Sequence, residues 1–525
     1  MKRLIIVYIF LLISNTFAWS HGELGSITFP TSTTNQVAQN YFKQGILMLH
    51  SFEYEESRKL FNLAISHDPD FVMAYWGLAQ TYNHPLWNEQ DLTGARNALA
   101  RLASNQSLRK KKTKTLRERM FLNAIEALYG KGDKIYRDKQ YVLKMHDLYN
   151  RYPNDNEIAI FYALSLLGVS EGVRNESYYM QAAGIIEEVF AENPKHPGAL
   201  HYAIHSFDDP IHAPLGLRAA TTYAKIAPDA SHALHMPSHI FFALGMWPNV
   251  IKSNKAAWEA GFKHIQQKNL KASAYTIHDL HALQWLSYAY LQIAKPKKAL
   301  KSLNQLHEIA LSTNSAMSRW YYLKARAAFL LEMPGYTLDI MKNDDLELSV
   351  QSETLFVEQF QAFKLQKPVS TLAIQELHQF LEANRHRINK NDHISFFTNV
   401  TETSVLATEI LELELKGLLA WQQGNINQAK HWLTAAIKKE SKMSFSYGPP
   451  FPAKSSFELY GELLLSKKKY LKANYWFYQS LKRNPQKHSS KIGFNESSRA
   501  LKKRGLLPKQ IPLSYSNKLM IKKTR

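Results

Sequence analysis

The chain has 525 residues, 45% of them hydrophobic and 12% aromatic, with only 21 glycines and 20 prolines. That composition excludes a disordered or fibrous chain and is long enough to bury a large core. There is no cysteine, which removes disulfides, thiolate metal sites and cysteine nucleophiles. The net charge is +21, gathered in the run 109–119 and in a C-terminal stretch where 17 Lys/Arg from Lys467 onward face a single acid, Glu496.

The N-terminus pairs Lys2 and Arg3 with an apolar run of ten residues, Leu4 to Ile13. Ten residues are too few to span a bilayer. With small residues around Ala18 and Ser20, residues 1–20 are expected to be a cleavable signal peptide. An exported protein follows, periplasmic or secreted. No later stretch is apolar enough for a transmembrane helix, and no nucleic-acid partner is expected of an exported chain.

After a short lead, 21–37, a repeat begins. Gly45, Ser57, Phe61, Ala64 and Pro69 fall at positions 8, 20, 24, 27 and 32 of a 34-residue unit that starts at residue 38. Small residues let two helices approach, the aromatic fills the space between them, and the proline ends the second helix. The next unit starts near Val72, with Ala79 and Tyr82, and the basic run 109–119 displaces its second helix. Units then begin at Ala163, Pro197 and Ser231, with Pro194 and Pro228 themselves 34 residues apart. A further unit starts near Leu280, with Ala299 in its second helix, and closes a segment running from 38 to 310. Residues 311–409 are helical without clear phase, and 389–392 are expected to form a loop. Residues 410–485 hold a C-terminal pair, marked by Gly417, Ala429 and Ala436 and then by Gly461, Ala473, Phe477 and Pro485. The Pro-rich segment 447–452 connects them. Residues 486–525 form a basic tail suited to an anionic surface. No strand alternation is present, so the expected fold class is an all-α solenoid.

These units resemble the tetratricopeptide repeat (TPR) family. The segments FVMAYWGLAQTYNHPLW, HPGALHYAIHSFDDP and HMPSHIF are similar to parts of a group of exported bacterial TPR proteins. The resemblance implies antiparallel helix pairs wound into a right-handed superhelix, with a protein or peptide partner in its concave groove. It does not specify a chemistry.

Residues 196–247 hold seven of the 21 histidines. His201/His205 and His235/His239 are each spaced i,i+4, and the second pair repeats the first after 34 residues. In the family's register these are positions 5 and 9, so all four are expected on the groove face of neighbouring helices. Side chains four apart on a helix are neighbours and can share an ion. With Asp208 they form a candidate metal set whose nitrogen and oxygen donors suit Zn, Cu, Fe, Mn or Ni. Asp209, His232, His278, His281, His50, His84 and Trp76 are further candidates for the groove wall. Tyr202 and Met236 stand where a His-Glu-x-x-His protease would carry glutamate. A metal-dependent enzyme and an envelope assembly scaffold are the alternatives to ligand binding. A purely structural histidine network is another, with Asp208-Asp209-Pro210 serving only as a helix end and turn. Pro237 divides the second pair. If a helix starts there, His232 and His235 belong to a turn and leave the common face.

Overall fold

The computed structural model describes residues 24–169, 174–228, 230–388 and 393–506. The expected signal segment 1–20, the expected loop 389–392 and the last part of the basic tail lie outside the described residues.

Almost every element is an α-helix, and each packs chiefly on its neighbours in sequence. The repeat chemistry is visible in the first turn of the solenoid. Asn35 caps the helix Gln36–His50 by accepting from the amides of Val37 and Ala38, which satisfies donors that a helix start leaves unpaired. The Ser57 hydroxyl in the second helix, Tyr54–His67, donates to the Gly45 carbonyl at 2.8 Å. The Phe61 ring then wedges between Gly45 and Gly77. A Cβ at either glycine would stand within 2.7 Å or 2.4 Å of that ring, so only glycine lets the third helix, Val72–Gln80, close over it. The same wedge recurs near the C-terminus, where Phe477 lies between Gly461 and Gly493. The fold is therefore an all-α helical-repeat solenoid of the TPR type.

Among the described residues two large apolar cores run along it, one mainly through residues 24–250 and one through 258–494, with two small clusters beside the second. The first helix returns to pack on Pro197–Ser206, and the last, His488–Lys502, touches Ile277–Gln292. These long-range returns bring the histidine-bearing helices together. Among the described residues no helix is long and apolar enough to cross a membrane.

Several expectations are corrected. The basic run 109–119 does not displace the second helix of the Val72 unit, which is Leu92–Leu102. The run itself is helical on either side of 113–115, within Gln106–Lys112 and Leu116–Leu128, where Arg109 pairs with Glu126 and Arg117 with Asp155. Strands are not wholly absent. Asn83–His84 pairs antiparallel with Glu89–Asp91, which pairs antiparallel with His393–Ile394. The Val72 helix stops at Gln80, and Asn88 at φ 53 reverses the chain after Pro85, as an asparagine in the left-handed region can. Tyr82 therefore lies beyond the helix. Residues 311–409 resolve into helices Ala316–Glu332, Leu348–Lys364 and Thr371–Asn384. The tail from 486 begins with the packed helix His488–Lys502, which buries Phe494 and Leu501.

At Pro237 the chain does divide, into Ser231–His235 and Pro237–Ala243. Met236 between them keeps right-handed helical angles (φ −52, ψ −38), and the proline sits at the first helical position, where no N–H is needed. The axis is nearly continuous, so His235 stays beside His239 instead of leaving with a turn.

Candidate metal centre

The expected open groove face is a closed interior. His201, His205, His232, His235 and His239 are all buried, and His278 is only 5% exposed. The reason is the chain's return: Phe52, Trp87 and the connector at Tyr447 cover the histidines that the repeat would have presented to solvent.

The centre is organised by helix ends. The helix Gln36–His50 finishes with carbonyls that have no intrahelical donor. The His50 carbonyl accepts the Nδ1–H of His201 at 2.7 Å, and the Phe52 carbonyl accepts the Nε2–H of His278 at 3.1 Å. Gly198 allows this approach, since a Cβ there would stand 2.6 Å from His50 Nδ1. With its Nδ1 proton committed, His201 presents a bare Nε2. The Nε2 atoms of His205 and His232 lie 3.1 Å and 3.2 Å from it. This is the first group.

The second group is His235, His239 and His281. His235 donates Nδ1–H to Asn254 Oδ1 at 2.6 Å, and Asn254 is oriented by donating its own Nδ2–H to the Val250 carbonyl. His239 donates Nδ1–H to Asp208 Oδ2 at 2.5 Å. Both rings therefore carry their lone pair on Nε2, and those two atoms face each other at 3.1 Å. His281, the one partly exposed member, stands edge-on to the His235 ring at 4.7 Å. His205, Asp208 and His239 form a third grouping that joins the two. Trp285 lies 4.6 Å from His239 and 4.9 Å from His235.

Burial shapes the titration of these groups. It depresses His201 to about 3 and His278 to about 4. Burial first, and then neighbouring histidines, hold His205, His232, His235 and His281 well below the ordinary imidazole range. These six rings are neutral at physiological pH, with lone pairs available.

Other candidates take structural places. Asp209 is a turn residue: its Oδ1 accepts from the amides of Ile211 and His212, and its Oδ2 from Arg174 at 2.7 Å. His50 shares Glu157 with His196, at 2.9 Å and 3.1 Å. Burial alone would raise the Glu157 carboxyl, but the two imidazoles hold it at about 2. His196 Nδ1 accepts the Ala199 amide and caps the Pro197–Ser206 helix, so this fourth cluster, His50, Glu157 and His196, is satisfied by its own hydrogen bonds. His84 leaves the group, pairing with Glu89 and stacking on Tyr54. Trp76 is core, wedged among Phe29, Phe121 and Phe161.

Sequence reasoning missed Glu157, His196, Asn254, Trp285 and Tyr447. Of these only His196 carried a signal, lying inside the histidine-rich segment. A cavity of about 30 Å³ under segment 445–452 reaches Asp208 and Asp209. In the same segment the Tyr447 hydroxyl is hydrogen-bonded to that of Tyr179, and its ring lies 6.2 Å from His205.

No family model and no curated protein matches the chain. Among solved structures, the chain is similar to the TPR domain of P58(IPK), at 11% identity over 89% of this chain and 99% of that one, with a TM-score of 0.20. It is also similar to yeast Tom70, at 11% identity over 94% and 99%, with a TM-score of 0.27.

Proposed function

We propose that the protein is a helical-repeat protein that binds transition-metal ions in a buried histidine centre. His201, His205 and His232 form one ligand set. His235, His239 and His281 form the other, with Asp208 behind His239. The observation that carries this is the pair His235–His239, two bare lone pairs 3.1 Å apart in a dry interior. Without a cation between them such a contact is repulsive, and burial opposes a proton on His235. Nitrogens bound at about 2.0–2.1 Å to one tetrahedral ion lie about 3.3 Å apart, close to the spacings in both groups.

Three histidines leave a coordination position open, as catalytic zinc sites do. The adjoining cavity of about 30 Å³ has room for about two waters and none for a substrate. Binding, rather than turnover, is the better supported reading. The signal-like N-terminus supports an exported location, and N-terminal sequencing of the mature protein tests it.

The test is metal analysis of protein purified without a histidine tag. About two equivalents of transition metal are expected. Less than about a tenth of an equivalent, with no uptake on titration, would sink the proposal.

A partner reading has its own observation. A groove of about 550 Å³ runs between Leu291, Met333 and Ile492, with Glu496 along it and with Glu332 and Glu462 there paired to Lys487 and Lys364. It suits an extended peptide with basic and apolar side chains. Fluorescence anisotropy with a lysine- and leucine-containing peptide tests this, and binding that I492A and E496A leave unchanged would count against it.

A further inference from the structure

The two histidine groups differ in what stands behind their rings, and the difference is chemical. In the second group the outer nitrogens of His235 and His239 donate to Asn254 Oδ1 and to the Asp208 carboxylate. An acceptor behind a ligating imidazole raises its basicity, and a carboxylate also brings negative charge toward the ion. In the first group only His201 has such an acceptor, and it is a neutral carbonyl. The Nδ1 atoms of His205 and His232 are buried with no hydrogen-bond partner among the described residues.

The walls differ as well. The first group is surrounded by rings: Phe52 is 4.3 Å from His201, Tyr223 stacks on His201 at 5.4 Å, and Trp87 is 6.0 Å from His232. His278 lies 4.1 Å from His232 with its Nε2–H held by the Phe52 carbonyl, and it does not converge with the three ligand nitrogens of the group. The desolvation cost of an ion grows with the square of its charge, so a divalent ion costs about four times as much as a monovalent one in the same dry site. Three neutral, weakly supported imidazoles offer a divalent ion little to offset that cost. Hard monovalent ions want oxygen and not imidazole nitrogen. The monovalent ion that takes imidazole, and accepts three-fold coordination, is Cu(I).

We propose that the centre is an unequal pair: His201, His205 and His232 hold Cu(I), while His235, His239 and His281, supported by Asp208, hold a divalent ion, Zn(II) or Cu(II). This deepens the metal-binding proposal and rests on it.

The test is an anaerobic titration of the full untagged protein, with Cu(I) buffered by a chromophoric Cu(I) chelator and Zn(II) in excess. Circular dichroism monitors the fold throughout. One Cu(I) and one Zn(II) per chain are expected. H232Q is expected to lower Cu(I) affinity by about 100-fold or more and leave Zn(II) in place, exceeding the effect of losing an outer partner. H281Q is expected to do the reverse. His281 and His232 are chosen because neither hydrogen bonds to a backbone group through its ring, so both variants keep the helix ends intact; should either lose helical signal, H205Q and D208N replace them. If Zn(II) displaces Cu(I) from both groups, or both variants lose the same metal, the unequal pair is overturned while metal binding stands. If neither metal binds, both proposals fall.

Discussion

Asp208 accepts the Nδ1–H of His239 at 2.5 Å, and that bond turns the other face of the imidazole toward His235. The aspartate thus fixes the tautomer of a candidate ligand without touching the ion position itself. D208N keeps the shape and an accepting oxygen but removes the charge. A 10–100-fold loss of divalent-metal affinity is expected, about the effect of losing an outer partner at other metal sites. Competition against a chelator measures it, with circular dichroism confirming unchanged helix content. Unaltered affinity would mean that Asp208 does not support a metal ligand.

Phe61 holds three helices at the spacing the repeat needs, with its ring against Gly45 and Gly77. The side chain is fully buried. F61A removes the wedge, and the glycines offer no side chains to fill the gap. A loss of about 3–5 kcal/mol is expected from large-to-small core changes of this kind. Urea unfolding of the metal-free protein reads it. A loss below about 1 kcal/mol would show that the helices collapse onto one another and that the wedge is dispensable.

The parts of this molecule that were legible in the sequence are those set by local spacing. Gly45, Ser57 and Phe61 lie within one repeat, so their register shows in the chain. His201/His205 and His235/His239 are visible for the same reason, since four residues make one helical turn. What was not legible depends on residues far apart. His201 is oriented by the carbonyl of His50 and His235 by Asn254 in the helix Trp247–Gln267. Neither partner has a pattern of its own. The groove became an interior because Phe52 and Tyr447, from opposite ends of the chain, close over it. Repeat periodicity describes neighbours and says nothing of such returns.

The metal-free protein should be acid-sensitive well above the range where carboxylates titrate. His201 and His278 sit near 3 and 4 when folded, against about 6.5 when unfolded. Between those values the unfolded chain takes up protons that the folded chain refuses, so stability is intact above about 6.5 and falls as the pH drops below it. These two groups alone give a slope of about 2–3 kcal/mol per pH unit near pH 5. Glu157, held at about 2, adds a loss only at lower pH, below about 4.5. The urea midpoint is therefore expected to fall markedly from pH 7 to pH 5. A midpoint that stays constant over that range would mean the histidines are hydrated and not buried.

Gly448 binds the C-terminal connector to the histidine centre. It has φ +90, and a Cβ on it would stand 2.1 Å from Trp285 Cζ2. Trp285 is itself buried against His235 and His239, so it has no room to yield. G448A therefore meets two penalties together, a left-handed backbone, about 1–2 kcal/mol, and a clash with a ring that cannot turn. The connector is the less constrained partner, since the residues lining its other side leave a cavity of about 30 Å³. It should lift and carry Tyr447 away from His205 and His239. Bound metal should then leave faster when the loaded protein is challenged with excess chelator, while the helical signal is retained. A release rate equal to that of the unmodified protein would show that metal reaches the centre by another route.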